Sequence, residues 1–485
     1  MSRRVFGRFL HSHDHKFLAM YSPVIAFSWW RSKKSKTPED IIYETAALKQ
    51  FHTAAHNSLP WGWTGHVFEP NFRFPQTYDE KEWTNPDTHP WLKFNFKKEP
   101  EEYLRAVLDY CFDGNIVSNV EECFDMSSSK RWFHMPWQHT SPSGREPIHG
   151  TTQERPSPVG WLANTQIRET QTVAVGFYNE PGGYTIGSVW KDPANPNLAP
   201  SAFNNGVSFP DGTVSFKLLF TQCTPEEAPY LKDAPKWQTM VQSYNGTQRA
   251  DPDPPRVVGD VYLLQIDIAV KDPRFDSPTR WNYGSFIYDN SIKDPNPWKR
   301  VIPVGISWGN DPARTWKEKD DPLKEGWLNP IAKKRIITEA RPMVGWDNRV
   351  NGPADNFSSS CHSCHMTPQF PSVGSMVPRV VDANTELGNR ERDYFFRNLL
   401  CSAVFDENMD FYAPSPRQEI HPLDYSLQLQ QSLNNFFVWR KAAFPHISQQ
   451  HVQEFHIPGT KLAPHKMAKA KSADGDISAG HTKST

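Results

Sequence analysis

The apolar positions of this chain change period along its length. Residues 38–56 carry Ile41, Ile42, Ala46, Leu48 and Phe51 at loosely helical spacing behind an acidic start, Pro38-Glu39-Asp40, which predicts a helix. Residues 57–98 show no period. Their large side chains, among them Trp61, Trp63, Trp83, Trp91 and Phe96, predict irregular chain pinned onto a neighbouring surface. A second helix is predicted over Pro100–Phe112, where Leu104, Val107, Leu108 and Cys111 share a face and Asp113-Gly114 ends the run.

Between 167 and 310 the pattern turns to strands. Thr170–Tyr178, Gly183–Trp190, Gly212–Thr221, Arg256–Val270, Trp281–Tyr288 and Val301–Trp308 are rich in β-branched and aromatic residues. Turn chemistry such as Glu180-Pro181-Gly182-Gly183 and Pro210-Asp211-Gly212 separates them. No strand–helix–strand rhythm appears, so an antiparallel β-sandwich or jelly-roll-like domain is expected. Residues 328–340 predict a short strand or helix. Helical patterns return over 386–401, with Leu387, Tyr394, Phe395, Leu399 and Leu400, and over 423–443, with Leu423, Leu427, Leu433, Phe436 and Phe437.

These patterns define a multidomain α+β chain with five expected parts. Residues 1–37 are a targeting segment or N-terminal arm, and 38–165 a helical, loop-rich aromatic segment packing on the β-domain. Residues 166–340 are the antiparallel β-rich domain, 341–457 a small helical domain, and 458–485 a disordered tail with almost no apolar content. At 485 residues the chain is long enough for two or three domains. The 18 Trp, 30 Phe, 15 Tyr and 43 Pro, with mean hydropathy −0.66, favour short strands and long ordered loops over a helical bundle. Lys+Arg 53 against Asp+Glu 54 gives no global pull toward nucleic acid or an anionic membrane.

The strongest chemical signal is Cys361-His362-Ser363-Cys364-His365, the C-x-x-C-H pattern of covalent haem attachment. Two thiols three residues apart on a turn leading into a helix can each add to one vinyl group of a single porphyrin. The imidazole after the second thiol then lies under the ring, placed to bind iron from the proximal side. A zinc site and a dithiol redox pair also use C-x-x-C. A single-loop zinc site, however, calls for a second Cys/His pair, and Cys401 and His421 do not form one.

The motif and its surroundings, about residues 345–445, resemble a c-type cytochrome domain at the C-terminal end of an uncharacterised cytochrome c-like protein. The resemblance implies one covalent haem c, iron ligation by His365 and single-electron transfer, with a redox partner protein or a small electron donor or acceptor. It implies a Met as sixth ligand on a later loop. Met409 is the expected residue, ahead of Met376, with His421 or an open position as alternatives. It makes 341–457 a cytochrome c-like haem domain, and it places the protein in the periplasm or otherwise outside the cytoplasm. Ser2-Arg3-Arg4 before an apolar run at Phe17–Trp30 is an ambiguous export signal. The run is too short for a confident membrane span, and no other segment is long and apolar enough.

Other clusters are weaker. Trp132 to Gly150 holds three His, two Trp and Arg145. This stretch is expected to form a loop that lines a ligand pocket or meets haem propionates through Arg145, or else a plain surface loop. His52 and His56 share a helix face but read as packing or surface histidines. Asn310 and Asp311 read as an Asx-turn ahead of a site for a cation or a sugar hydroxyl. Cys111, Cys123, Cys223 and Cys401 form up to two disulfides, with Cys111–Cys123 closest in sequence, or are buried free thiols. An oxidoreductase activity coupled to the haem is open. The alternative function is a β-sandwich binding carbohydrate or another small ligand, with a metal or non-haem C-x-x-C-H site.

Overall fold

The longest strand of this computed structural model explains how its sheet is built. β5 (Arg256–Lys271) runs for 16 residues and pairs with three other strands. Its Tyr262 is opposite Thr221 of β3 (Val214–Thr221) on one edge and Lys236 of β4 (Lys236–Gln242) on the other. β4 therefore shares an edge of β5 with β6 (Trp281–Tyr288), which pairs from Gln265 onward. With β1 (Thr152–Gln153), β2 (Thr172–Tyr178), β7 (Val301–Ser307) and β8 (Gly326–Leu328), these strands form one antiparallel sheet of eight. The order is β1-β2-β3-β5-β6-β7-β8, with β4 on β5. The structure describes residues 36–52, 61–65, 70–113, 132–138, 151–201, 205–242, 256–274, 278–372, 375–379, 382, 384–405 and 419–450.

Strand alternation gives the sheet two unlike faces. One is apolar: Val173, Val175 and Phe177 of β2, Phe216, Leu218 and Phe220 of β3, and Ile266, Ile268 and Val270 of β5. Helix α2 (Pro100–Phe112) joins this core through Tyr103, Leu104, Val107, Leu108 and Cys111. Pro100 in its first turn and Glu101 and Glu102 beside it favour helix initiation and suit the positive end of the dipole. Gly284 leaves the space that the Leu104 side chain fills.

The other face is read row by row from the register. One row is Tyr178, Ser215, Ala269, Tyr283 and Ser307; the next is Gly176, Lys217, Asp267, Ser285 and Gly305. The C-terminal third of the chain joins a core with this side. Phe370, Phe395 of α6 (Glu386–Phe395), and Leu429 and Phe436 of α7 (Leu427–Ala443) share one apolar cluster with Tyr178, Tyr283, Trp137 and Trp190. The sandwich-like layering is thus a single eight-stranded sheet with a packed layer against each face.

The sequence reading is corrected at Gly183–Trp190, which is not a strand but most of helix α3 (Glu180–Val189). Pro181 sets φ in the first turn, and the buried Thr185, Ile186 and Val189 repeat at helical rather than alternate spacing. Gly182 and Gly183 are not turn residues here; they give the Tyr178 and Phe133 rings room against the helix. Strand β4 was not expected. Helix α1 spans Pro38–His52, α4 (Pro330–Ile336) fills the ambiguous 328–340 stretch, and α6 ends at Phe395, short of 401. Among the described residues no helix is long and apolar enough to cross a membrane.

The apolar face supplies a direct test. Phe216 is fully buried, stacks on Phe177 at 4.3 Å and meets Trp132 edge-on at 4.8 Å. Phe216→Ala is expected to destabilise the protein by about 3–5 kcal/mol in denaturant titration. A loss under about 1 kcal/mol would show that this face is not the core described.

Candidate functional site

Ser358 to His365 lies between the polar face of the sheet and the C-terminal layer, and its local fold follows from hydrogen bonds that the sequence supplies itself. Ser360 caps the one-turn helix α5 (Cys361–His365): its Oγ accepts from Ser363 N at 3.0 Å, and Ser363 Oγ accepts from Ser360 N at 2.8 Å. The Ser360 hydroxyl donates to Asn310 Oδ1 at 2.8 Å. Asn310 is itself buried and donates to the Arg397 carbonyl at 2.8 Å. It is therefore an anchor for the motif and not the Asx-turn expected from sequence. Neighbouring Asp311 accepts from Lys324 N and Glu325 N.

On a helical turn, residues three apart share a face. Cys361 and Cys364 are accordingly both free thiols and both half-buried. Burial pushes both thiols up, Cys364 to about 11 and Cys361 well above its usual range, so they rest protonated. A reactive dithiol or thiolate pair needs the opposite shift. Among the described residues no group of three His, Cys, Asp or Glu side chains is arranged to hold a metal ion.

The two histidines of the motif have different surroundings. His362 is wholly buried; its Nδ1 lies 2.7 Å from Ser307 Oγ and its Nε2 3.1 Å from the Trp281 carbonyl. Burial holds its pKa down at about 3, so the ring is neutral. His365 is half-buried and stacks on Tyr283 at 4.3 Å. Its Nδ1 is 3.0 Å from the Tyr425 carbonyl, an acceptor only, so Nδ1 carries the proton and Nε2 keeps its lone pair. Burial lowers its pKa to about 4. A donor set of two thiols on one face and an imidazole with Nε2 unprotonated fits covalent attachment and axial ligation of a haem.

The Tyr425 carbonyl is itself held in place. Asp424 and Tyr425 both have positive φ, 46° and 66°. Asp424 is buried and accepts from Lys271 Nζ at 2.5 Å, Phe209 N at 2.6 Å and Trp281 Nε1 at 2.8 Å. The end of β5 and the start of β6 thereby fix the backbone that orients His365. A second buried cation, Arg341, donates to the carbonyls of Val344, Gly352, Pro353 and Asp355 and shapes the loop that brings Asp355 next to the thiols.

Other expected residues fall differently. Arg145, Met409 and Cys123 lie outside the described residues, as do His56, His139 and His149. Met376 is exposed, and the Met366 sulfur lies in the core, 3.6 Å from Asn310 Nδ2. His421 is buried with Nδ1 2.8 Å from the Asn205 carbonyl. The described part of the aromatic stretch, 132–138, is buried and not a surface loop. His134, Met135 and Gln138 line a small recess with Glu154, Lys217 and Gln428. Sequence reading missed Lys217, Asp267, Asp355, Arg341 and Asp424. Lys217 and Asp267 each stand among apolar neighbours in their own strands, and nothing in one strand tells which positions meet.

No family model matches the chain, and no curated protein or solved structure is significantly similar to it.

Asp424→Asn should cost about 3–5 kcal/mol in chemical denaturation, because it leaves Lys271 buried without its counter-charge. The double substitution Lys271→Met with Asp424→Leu should lose much less. A single variant as stable as the parent would show that the clasp holds nothing.

Proposed function

We propose that this protein is a c-type haem protein that transfers single electrons, with Cys361 and Cys364 as the covalent attachment points and His365 as the proximal iron ligand. The observation that carries the reading is the orientation of His365. Its Nδ1 is tied to the Tyr425 carbonyl while Nε2 stays unprotonated, next to two free thiols on the same turn. A hydrogen bond from Nδ1–H raises the basicity of Nε2 and fixes the ring, as in other ligating histidines. When bound, the haem supplies a one-electron couple.

The chain's own residues do the rest. Ser360 and Asn310 hold the turn so that both thiols stay on one face. Lys271 and Trp281 hold Asp424, and with it the carbonyl behind His365. Tyr283 packs flat against the imidazole. Residues 341–457 are then the haem-bearing part, built on the sheet face as well as on α6 and α7. Met409 is the proposed sixth ligand. Covalent attachment to this motif takes place outside the cytoplasm, so an exported, periplasmic protein and a redox partner belong to the same proposal. The carbohydrate-binding alternative drew on the tryptophans, and most of those described are core residues such as Trp91, Trp137, Trp298 and Trp346.

Exported in a host with cytochrome c maturation, the full chain is expected to keep a haem through a denaturing gel. Cys361→Ser with Cys364→Ser should abolish the haem-stained band at unchanged protein yield. His365→Ala should keep covalent haem but change the reduced-minus-oxidised spectrum. A parent chain without stain would end the proposal.

A further inference from the structure

The sheet face under the motif carries more charge than a packing surface needs. Lys217 of β3 and Asp267 of β5 are register neighbours, with Gly176 and Ser285 beyond them. Lys217 also pairs with Glu154 at 3.0 Å. From the opposite layer comes Asp355. One nitrogen joins the two carboxylates: Gln265 Nε2 donates to Asp267 Oδ1 at 2.7 Å, to Asp267 Oδ2 at 2.8 Å and to Asp355 Oδ2 at 3.0 Å. The bridge is built in from both sides, because Gln265 Oε1 accepts from Ala354 N at 2.9 Å and Gly352 has no Cβ where the amide sits. Asp355 Oδ2 also accepts from Gly352 N at 3.0 Å.

Two carboxylates held to one amide nitrogen do not both ionise cheaply in a half-buried place. Burial and Asp355 push Asp267 up, against the pull of Lys217. Lys217 stays charged, because Glu154, Asp267 and Asp355 outweigh the cost of burial. Ser285, directly opposite Asp267 and fully buried, sets its hydroxyl beside the Asp267 carboxylate, whose ionised form it favours. The groups facing this pair are Lys217 from β3, Glu154 and Arg155 following β1, Arg341 under the Asp355 loop, and Cys361, Cys364 and His365 from α5.

We propose that the Asp267–Asp355 pair is the proton-exchanging site of the polar sheet face under the motif. It takes one proton from solvent as the cofactor on Cys361 and Cys364 takes one electron from a one-electron donor, and it returns the proton on reoxidation. The inference rests on the haem reading of the motif. In the reducing direction one electron and one proton enter; the O–H bond formed on the carboxyl replaces one broken on hydronium, and nothing else is made or lost. The added electron makes this face more negative, which strengthens the carboxyl's hold on its proton.

Two measurements on the full chain test it. In the haem-loaded protein the midpoint potential should fall as pH rises around neutrality, approaching about 59 mV per tenfold change in proton activity, the one-electron value. Asp267→Asn should flatten that slope while the haem remains attached. In the haem-free Cys361→Ser, Cys364→Ser chain, infrared spectroscopy should show a protonated carboxyl at neutral pH that disappears with Asp267→Asn. If Asp267→Asn does not fold, Asp355→Asn serves instead, since it removes the repulsion and should flatten the slope equally. A loaded protein whose potential ignores pH, or a variant that keeps the parental slope, overturns the proposal. A chain that takes up no haem overturns the coupling and the haem reading together. The infrared band would then report separately whether the pair holds a proton.

Discussion

Asp424 ties the sheet of this protein to its C-terminal layer. Its carboxylate is buried, paired with Lys271 at the end of β5 and bonded to the indole of Trp281 at the start of β6. A buried ion pair gains little over a well-packed apolar pair, and removing one partner is costly. Its value here is positional. It holds two consecutive residues at positive φ, and the second of these, Tyr425, turns its carbonyl to His365. The orientation of the His365 imidazole is thus set by the sheet, 94 positions away along the chain at Lys271.

The sheet does this because its two faces are built for different ends. On one, alternate residues are large and apolar and pack with α2 into an ordinary core. On the other, a row of small and charged residues, Gly176, Lys217, Asp267, Ser285 and Gly305, crosses five strands. Charges in such a place are tolerated when each has a partner, and here each does: Lys217 has Glu154, and Asp267 and Asp355 share the Gln265 amide. The thiols of Cys361 and Cys364 sit over this row, half-buried and protonated. That setting suits thiols that are to be consumed in a covalent bond better than thiols that must act as free nucleophiles.

How much of this was legible beforehand depends on how local the information is. Helix α2 and strand β6 have the limits their residue patterns gave, because period and end signals lie within each segment. The C-x-x-C-H spacing and its capping serines are equally local. At Gly183–Trp190 local propensity misled: the aromatic and β-branched content suggested a strand, while Pro181 and the packing of Phe133 and Tyr178 onto two glycines decided for a helix. The polar row was not legible at all. Lys217, Gln265, Asp267 and Asp355 come from separate segments and meet only through strand register and a loop fixed by Arg341. Asn310 was read as a turn residue for the same reason, since its partner Ser360 is 50 positions on.

The central claim is that the two sulfurs of this turn carry one porphyrin, with His365 beneath it. Mass spectrometry of the peptide containing Cys361 and Cys364, cut from protein exported in a host that matures a control cytochrome, tests it most directly. The account predicts that peptide at the mass of one added haem, with both cysteines resistant to alkylation. The same peptide recovered unmodified, with both thiols alkylated or joined to each other, would contradict it.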